Sequence, residues 1–238
     1  MLQNGYKYKA VKYNGFWQPV KYPWHILDAM DYFSQSINTS ISSTCSISSG
    51  VVIDGNVIIE DNVRILEGAI IKGPAYIGQN SLIGNGALVR ASFIGQTSVI
   101  GYATEIKHSY IGDNCWFHTN YIGDSIIDSN CSFGSGAVTA NYRLDEREIS
   151  VWIGKRNINT GRDKFGIIAG AGCRIGINAS FMPGVKLGAN SFVGAHVCLT
   201  KDLDNDKMAI AKSEYIVLPN RFKLAQNKRQ ELFKKLRK

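Results

Sequence analysis

The chain has 238 residues, a formal net charge of +8, and 24 glycines against 5 prolines, a composition typical of a turn-rich globular domain. Eight basic residues and one acid between Arg221 and Lys238 account for +7 of that charge, so the remainder offers no basic face of the kind that tracks nucleic acid. No apolar run approaches the ~18 residues of a membrane span, and the start lacks the apolar core of a signal peptide.

The cysteines point to a reducing compartment. There are five of them, an odd number scattered along the chain, which indicates neither a disulfide framework nor a zinc site. We therefore expect a cytoplasmic protein with free thiols, no metal, and neither a nucleic-acid nor a membrane partner.

Residues 1–40 form an N-terminal segment outside any repeat. Within it, the sequence WHILDAMDYF follows Pro23, a residue favoured at the start of helices. The spacing predicts a short helix from Trp24 to Phe33, with Trp24, Leu27 and Met30 or Asp31 on one face.

Residues 41–205 are dominated by apolar residues spaced six apart, with a few one-residue slips. A period of six does not match an α-helix, and it predicts short strands separated by corners, three to a triangular coil. About seven such coils would stack in parallel at ~4.8 Å into a prism with an apolar interior. The apolar positions are Ile47, Ile53, Ile59, Ile65, Ile71, Ile77, Ile83, Val89, Ile94, Ile100, Ile106, Ile111, Phe117, Ile122, Ile127, Phe133, Ala169, Ile175, Phe181, Leu187, Val193 and Leu199.

Four residues after each apolar position, a small or β-branched residue is predicted to point inward. Cys115, Cys131 and Cys173 occupy this slot, and Cys45 fits it if the repeat begins at Ile41, so we expect core packing rather than thiol chemistry. The preceding residue is often Asn or Gly, which tolerate the left-handed backbone of a tight corner. These corner residues are Asn56, Asn62, Asn80, Gly86, Asn114, Asn130 and Asn190.

Two segments depart from the repeat. Residues 141–165 form a charged excursion loop with a strand-like centre from Ile149 to Ile153, and a loop this long inside a solenoid is usually functional. Residues 206–238 form a basic tail, in which Asn220 is predicted to cap a helix. Its apolar face is predicted to dock on this chain or on a neighbour and consists of Phe222, Ala225, Leu232, Phe233 and Leu236.

Polar residues at three corners are candidates for a site. Most residues after the aliphatic position are Gly or Asp, and Arg90, Lys107 and His118 are exceptions within five hexapeptides. Corner side chains project outward, so two cations and an imidazole are predicted to lie near one edge. The alternative is that surface corners accept any polar residue.

The local sequence resembles the acyltransferase domain of bifunctional sugar-1-phosphate nucleotidylyltransferases, including N-acetylglucosamine-1-phosphate uridylyltransferases. The likeness covers roughly residues 15–205, and its upstream part resembles the joint between the two domains of such enzymes. The shared motifs are Glu105-Ile106-Lys107, HTNYIGDS from His118, GSGAVTANYRLDE from Gly134, NTGRDKFG from Asn159 and GINASFMPGVKLG from Gly176.

The resemblance implies an all-β, left-handed parallel β-helix, with a short N-terminal helix and a C-terminal helix here, that assembles as a homotrimer with sites between subunits. It also implies residue roles. His118, Tyr121 and Asn141 would be catalytic, with His118 as the base; Arg90, Lys107, Tyr121 and Asn141 would bind the substrate; and Ser135, Lys186, Gly194 and Ala195 would bind coenzyme A.

We therefore expect an acetyl-CoA-dependent N-acetyltransferase acting on an amino-sugar phosphate, such as glucosamine-1-phosphate or galactosamine-1-phosphate, or on a nucleotide amino sugar. The alternative is a catalytically silent trimeric scaffold or partner of a separate nucleotidylyltransferase. Nucleotidyl transfer is not expected, because residues 1–40 lack a Gly-rich phosphate loop and Gln18 stands where such enzymes often carry a metal-binding Asp. A γ-type carbonic anhydrase is disfavoured because the four histidines lack zinc-ligand spacing.

Three departures from the family pattern concern the site. Lys107 and His118 are eleven residues apart where relatives commonly have twelve, and Phe117 replaces the usual Gly or Pro. Ser132 stands where a sugar-binding Asn is usual. Arg147 and Ser150 occupy loop positions that often carry Lys.

Overall fold

The computed structural model describes residues 7–212, 214, 216–223 and 228–236. Its body is a left-handed parallel β-helix, which confirms the predicted fold class. Two helices accompany it in the described ranges, α1 (His25–Ser34) and α2 (Lys228–Leu236). None of the helices within those ranges is long and apolar enough to cross a membrane.

The strands are short, mostly two or three residues long. In chain order they are β1 (Ser40–Ile41), β2 (Ser46–Ile47), β3 (Val52–Asp54), β4 (Val57–Ile59), β5 (Arg64–Ile65), β6 (Ile70–Lys72), β7 (Ala75–Ile77), β8 (Leu82–Ile83), β9 (Leu88–Arg90), β10 (Phe93–Ile94), β11 (Val99–Ile100), β12 (Glu105–Lys107), β13 (Tyr110–Ile111), β14 (Trp116–Phe117), β15 (Tyr121–Gly123), β16 (Ile126–Ile127), β17 (Ser132–Phe133), β18 (Val138–Thr139), β19 (Ser150–Ile153), β20 (Arg156–Asn159), β21 (Ile168–Ala169), β22 (Arg174–Ile175), β23 (Ser180–Phe181), β24 (Lys186–Leu187), β25 (Phe192–Val193), β26 (Cys198–Leu199) and β27 (Met208–Ala209).

Three parallel sheets form the sides of the prism. The first sheet has the order β1-β4-β7-β10-β13-β16-β21-β24, the second β2-β5-β8-β11-β14-β17-β22-β25-β27, and the third β3-β6-β9-β12-β15-β18-β23-β26. Each sheet therefore contains eight or nine strands rather than the about seven coils expected from the repeat. The difference arises because β1, β18 and β27 lie outside the runs of six counted in the sequence.

The apolar positions of the repeat fill the interior, as predicted. The residues from Ile59 to Val193 in that series are buried, whereas Ile47 in the first coil is 40% exposed because no earlier coil covers it. In the middle of the prism the rings of Phe117 and Phe133 stack with their centroids 5.0 Å apart, and Phe181 meets Phe133 edge-on at 6.5 Å. The core is therefore one continuous apolar column.

The corners follow the predicted chemistry with one exception. Asn62, Asn80, Gly86, Asn114, Asn130 and Asn190 all have positive φ. At the corner predicted for Asn56, the neighbouring Gly55 takes that conformation instead, with φ 83°. Cys115, Cys131 and Cys173 are buried in the inward slot, Cys45 is partly buried, and Cys198 is exposed.

Helix α1 and the excursion loop cover part of the first sheet. The helix buries Trp24, Leu27 and Met30, the face predicted from spacing, with Met30 rather than Asp31 facing inward. In the loop, β19 and β20 pair as an antiparallel hairpin, and β19 coincides with the predicted strand-like centre. Both elements pack on the sheet through a shared cluster that includes Phe165.

The basic tail differs from its prediction. Helix α2 begins at Lys228, eight residues after the expected cap Asn220, whose side chain instead accepts a hydrogen bond from the Phe222 N–H (2.9 Å). Ala225 lies outside the described residues. The predicted docking residues Phe222, Leu232, Phe233 and Leu236 are each more than half exposed.

Candidate functional site

Three of the one-residue slips in the repeat occur where the chain crosses from the third sheet to the first. The crossings turn at Ala91, His108 and Asp124, whose φ values of 46°, 43° and 48° are left-handed. Each crossing is one residue shorter than the regular hexapeptide, so successive crossings stack as tight turns. We call this edge, residues 90–92, 107–109 and 123–125, the short corner.

A column of buried serines fixes the short corner. Ser92, Ser109 and Ser125 are fully buried, and each hydroxyl donates to the backbone carbonyl two residues earlier at 2.8 Å. Each hydroxyl also accepts a backbone N–H from the next coil, at 3.1, 3.0 and 3.1 Å. The backbone on which the preceding side chains stand is therefore held rigidly.

Two predicted phosphate-binding cations lie side by side along this edge. Arg90 and Lys107 are direct partners in β9 and β12, and Lys72 precedes them in the same register. Each predicted cation already holds a carboxylate. The Arg90 Nε donates to Glu105 Oε1 at 2.9 Å, and the Lys107 Nζ lies 2.8 Å from Asp124 Oδ2.

Asp124 joins the groups of the short corner. Its side chain is 5% exposed, and Oδ1 contacts His108 Nδ1 at 2.9 Å, while Oδ2 accepts hydrogen bonds from Lys107 and from the Asn141 amide. The same Asn141 Nδ2 lies 3.2 Å from the Tyr121 hydroxyl. One buried carboxylate thus orders three of the side chains that the resemblance assigns to the substrate.

The charges of this cluster support one another. Burial alone would raise the pKa of Asp124, but hydrogen bonds from His108, Lys107 and Asn141 outweigh it and hold that pKa below the ordinary 3.8. The hydrogen bond from Asp124 raises the pKa of His108 above the ordinary 6.5, against the opposing effect of burial and with further support from Asp31. Both groups are therefore biased toward their charged forms.

Helix α1 is tied to the same cluster. His108 Nε2 lies 2.7 Å from Asp31 Oδ1, so the imidazole bridges a carboxylate of α1 and the buried Asp124. Arg162 of the excursion loop pairs with Asp28 of α1 and lies 3.7 Å from Asp31. The helix, the loop and the short corner therefore form one polar network.

His118 does not lie with Arg90 and Lys107, contrary to the expectation of one shared edge. It follows β14, at the crossing from the second sheet to the third, whereas the cations end strands of the third sheet. The reason is the eleven-residue spacing, which carries the chain through two strands after Lys107. Tyr121 lies between the two edges, in β15.

The corner that carries His118 also carries most of the residues assigned to coenzyme A. Ser135 follows β17, and Gly194 and Ala195 follow β25, so with His118 they lie along the crossings from the second sheet to the third, which we call the histidine corner. Lys186 is elsewhere. It stands in the first sheet, where its ammonium contacts Asp202 and the Trp152 carbonyl.

Two open cavities flank the hairpin on either side of Trp152. One, of about 680 Å³, is lined by Arg147 and Ser150 of the loop and by Lys201 of the last coils, and the other, of about 730 Å³, by Lys186. Neither reaches the short corner or the histidine corner. Within the described ranges, no group of three or more His, Cys, Asp or Glu could hold a metal ion.

Sequence reasoning missed Asp124 and His108. The sequence Ile-Gly-Asp also occurs earlier in the chain, where it ends at the exposed Asp113, so Asp124 looked like an ordinary surface corner. The available signal was the slip itself, because a shortened crossing places its turning residue against the neighbouring coils.

Two family profiles match the chain. The profile described as "GMPPB C-terminal domain" covers residues 36–122, and "Bacterial transferase hexapeptide (six repeats)" covers residues 170–201. With the repeat and the fold, these matches define the class: the chain is a hexapeptide-repeat protein with a parallel β-helix body.

Within that class, the chain is similar to the proteins named "Bifunctional protein GlmU". It is 37% identical to the one from Methanocaldococcus jannaschii over 226 residues, covering 88% of this chain and 51% of the relative. For Methanococcus aeolicus the identity is 38% over 229 residues, covering 90% and 52%. A "Bifunctional sugar-1-phosphate nucleotidylyltransferase/acetyltransferase" of Sulfurisphaera tokodaii is 38% identical over 86 residues, covering 36% and 21%. The chain spans about half the length of the GlmU relatives that it matches.

Proposed function

We propose that the chain is a coenzyme A-dependent N-acyltransferase that uses acetyl-CoA. Its acceptor would be an amino-sugar phosphate, such as glucosamine-1-phosphate or galactosamine-1-phosphate, or a related nucleotide amino sugar. The observation that carries the proposal is the pair of edges bordering the third sheet. Arg90, Lys107 and Asn141 line one edge, His118 lies on the other, and Tyr121 stands between them.

The short corner is suited to the acceptor. Arg presents a planar fork and Lys a point charge, and both bind phosphate oxygens. Asn141 and Tyr121 add an amide and a hydroxyl, the groups that commonly recognise sugar hydroxyls. The phosphate would therefore lie at Arg90 and Lys107, with the sugar extending over the third sheet.

The histidine corner is suited to the chemistry. His118 is exposed, and an imidazole can act as a general base that takes a proton from the acceptor nitrogen. That nitrogen attacks the thioester carbonyl carbon, the new C–N bond forms, the C–S bond breaks, and the coenzyme A thiolate leaves and is protonated. A backbone N–H donates to the oxyanion. The amide of Gly136 already donates to the Thr119 carbonyl at 2.8 Å, so the amide of Ser135 is the candidate.

Coenzyme A would lie along the later crossings of the histidine corner, near Gly194 and Ala195. Lys186 is a weaker candidate than its position in the sequence suggested, because its ammonium is held by Asp202 on another side of the prism. The cosubstrate would thus approach His118 from the C-terminal coils.

The assembly is proposed to be a homotrimer. Trp116 and Phe192 on the outer face of the second sheet are 53% and 47% exposed, an apolar surface that contact between copies would cover. Sedimentation at micromolar concentration tests this proposal, and a monomer alone would refute it.

The decisive experiment measures thiol release from acetyl-CoA with a thiol-reactive dye. The acceptors are glucosamine-1-phosphate, galactosamine-1-phosphate and UDP-linked amino sugars, with the N-acetylated sugar as a matched blank. We expect release with at least one amino sugar and none with the blank.

No release with any acceptor would favour the second candidate, a silent trimeric scaffold for a separate nucleotidylyltransferase. One observation favours that alternative: Arg90 and Lys107 are both already paired with carboxylates of the chain.

A further inference from the structure

Asp124 is a buried carboxylate that contacts two side chains of the proposed acceptor site, Lys107 and Asn141. Lys107, His108 and Asn141 use both of its oxygens, and through Asn141 it is linked to the Tyr121 hydroxyl. Burying a carboxylate is costly unless its partners compensate. The buried carboxylate of Asp124 therefore requires compensating interactions, and these three side chains supply them.

The fold itself does not require a carboxylate here. Ala91 and His108 occupy the equivalent position in the two preceding coils and make the same left-handed turn, with φ 46° and 43° against 48° for Asp124. The serine column completes all three turns alike. An alanine suffices for the corner, so the carboxylate at Asp124 serves its side-chain partners rather than the backbone.

We propose that Asp124 is the positioning residue of the acceptor site, fixing Lys107 and Asn141, and through Asn141 the Tyr121 hydroxyl, in the arrangement that binds the sugar phosphate. This inference rests on the proposed function, because it assigns these side chains to the acceptor. Asp124 is held in place from outside by His108, whose other nitrogen is anchored on Asp31 of α1.

Removal of the Asp124 carboxylate is expected to weaken acceptor binding, whereas charge balance alone would strengthen it. Asp124 carries a negative charge beside Lys107, so removing that charge alone would strengthen the binding of an anionic phosphate. If the carboxylate instead orders the site, its removal frees Lys107 and Asn141 to adopt other rotamers and weakens binding. The direction of the change in acceptor KM therefore separates the two effects.

The test compares Asp124→Asn with Asp113→Asn. Asparagine keeps the shape and tolerates left-handed φ, so the corner should survive. Asp113 is an exposed corner aspartate whose carboxylate accepts hydrogen bonds from Gln96, and it serves as the matched control. We expect the acceptor KM of Asp124→Asn to rise by about 10- to 100-fold, the range for lost hydrogen bonds to a charged group, while the KM for acetyl-CoA stays unchanged.

An unchanged or lower acceptor KM in Asp124→Asn, with wild-type activity present, overturns the inference and leaves the proposed function standing. An inactive wild type with every acceptor overturns both. A measurement on the unmodified protein covers the case in which the variant does not fold. Titration with glucosamine-1-phosphate, without coenzyme A, should shift the NMR signals of the His108 ring, which contacts Asp124. In an active protein, unshifted His108 signals under saturating acceptor contradict the inference.

Discussion

Replacing Lys107 by methionine should destabilise the fold as well as weaken substrate binding. The side chain of Lys107 is 20% exposed and that of its partner Asp124 only 5%, so Lys107→Met leaves a buried carboxylate with two of its three polar partners. Arg90 offers a matched control one coil away in the same register. It pairs with Glu105, but those side chains are 41% and 28% exposed.

The two variants should differ by a measurable free energy of unfolding. Removing one partner of a buried ion pair costs about 3–5 kcal/mol, and the partners that Asp124 retains place Lys107→Met at about 3 kcal/mol. Exposed pairs contribute about 0–1 kcal/mol, the range expected for Arg90→Met. For a chain of this size, 1 kcal/mol corresponds to about 2–4 °C in Tm, so Lys107→Met should lower Tm by roughly 6–12 °C.

Urea unfolding at pH 7 measures the unfolding free energies of Lys107→Met and Arg90→Met. The pH dependence of the unfolding free energy gives a second check. The folded-state pKa of Asp124 is held below 3.8, so its contribution to stability is present above 3.8 and is lost as the pH falls through the folded pKa. The difference in unfolding free energy between the wild type and Lys107→Met should therefore become smaller as the pH is lowered. Equal unfolding free energies for the two variants at pH 7 would refute the assignment of Lys107 to the Asp124 network.

Three further predictions concern other parts of the chain. If His118 is the base, His118→Ala should lower turnover by about 10²–10⁴ while acetyl-CoA affinity, measured by calorimetry, stays near the wild-type value. Phe133→Ala should cost about 3–5 kcal/mol in urea unfolding because that ring is fully buried between two others, whereas Phe33→Ala, whose ring on α1 is 59% exposed, should cost far less. Truncation after Pro219 should leave the Tm of the prism unchanged in scanning calorimetry, since the described apolar residues of the tail are exposed.

Each of these three predictions would be contradicted by one specific outcome. Full turnover in His118→Ala would mean that another group is the base or that the reaction is not amine acylation. Equal costs for Phe133→Ala and Phe33→Ala would contradict the packed column. A lower Tm after truncation would show that the tail docks on the protein in solution.

The fold could be predicted from the sequence because one physical pattern is repeated along it. Each coil buries an apolar residue at each strand and a small residue at each corner, so the period of six predicts strands, corners and interior together. The count of coils was low because the runs of six counted in the sequence did not include β1, β18 and β27. The apolar face of α1 followed from the spacing of Trp24, Leu27 and Met30, whereas docking of the tail on a neighbouring copy stays a prediction.

The site was predicted less well than the fold. Side chains after the aliphatic positions point outward wherever they occur, so Arg90, Lys107 and His118 were all recognised as surface groups. Which corner each one occupies depends on how many strands the chain passes through between them, and the slips change the number of residues that correspond to each strand. The strand register, rather than the residue types, therefore determines which edge each side chain occupies. His118 is on one edge of the third sheet, and the cations are on the other.

The slips connect the fold to the site. A hexapeptide shortened by one residue turns more tightly, and at the short corner the buried serine hydroxyls hold each turn against the next. On this rigid edge the turning residue can be an alanine, as at Ala91, or a polar residue that faces its neighbours, as at Asp124. Asp124 reaches Lys107 of the preceding coil and Asn141, the residue that begins the excursion loop. A repeat built for uniform packing thus acquires a distinct site at the coils where its period is broken.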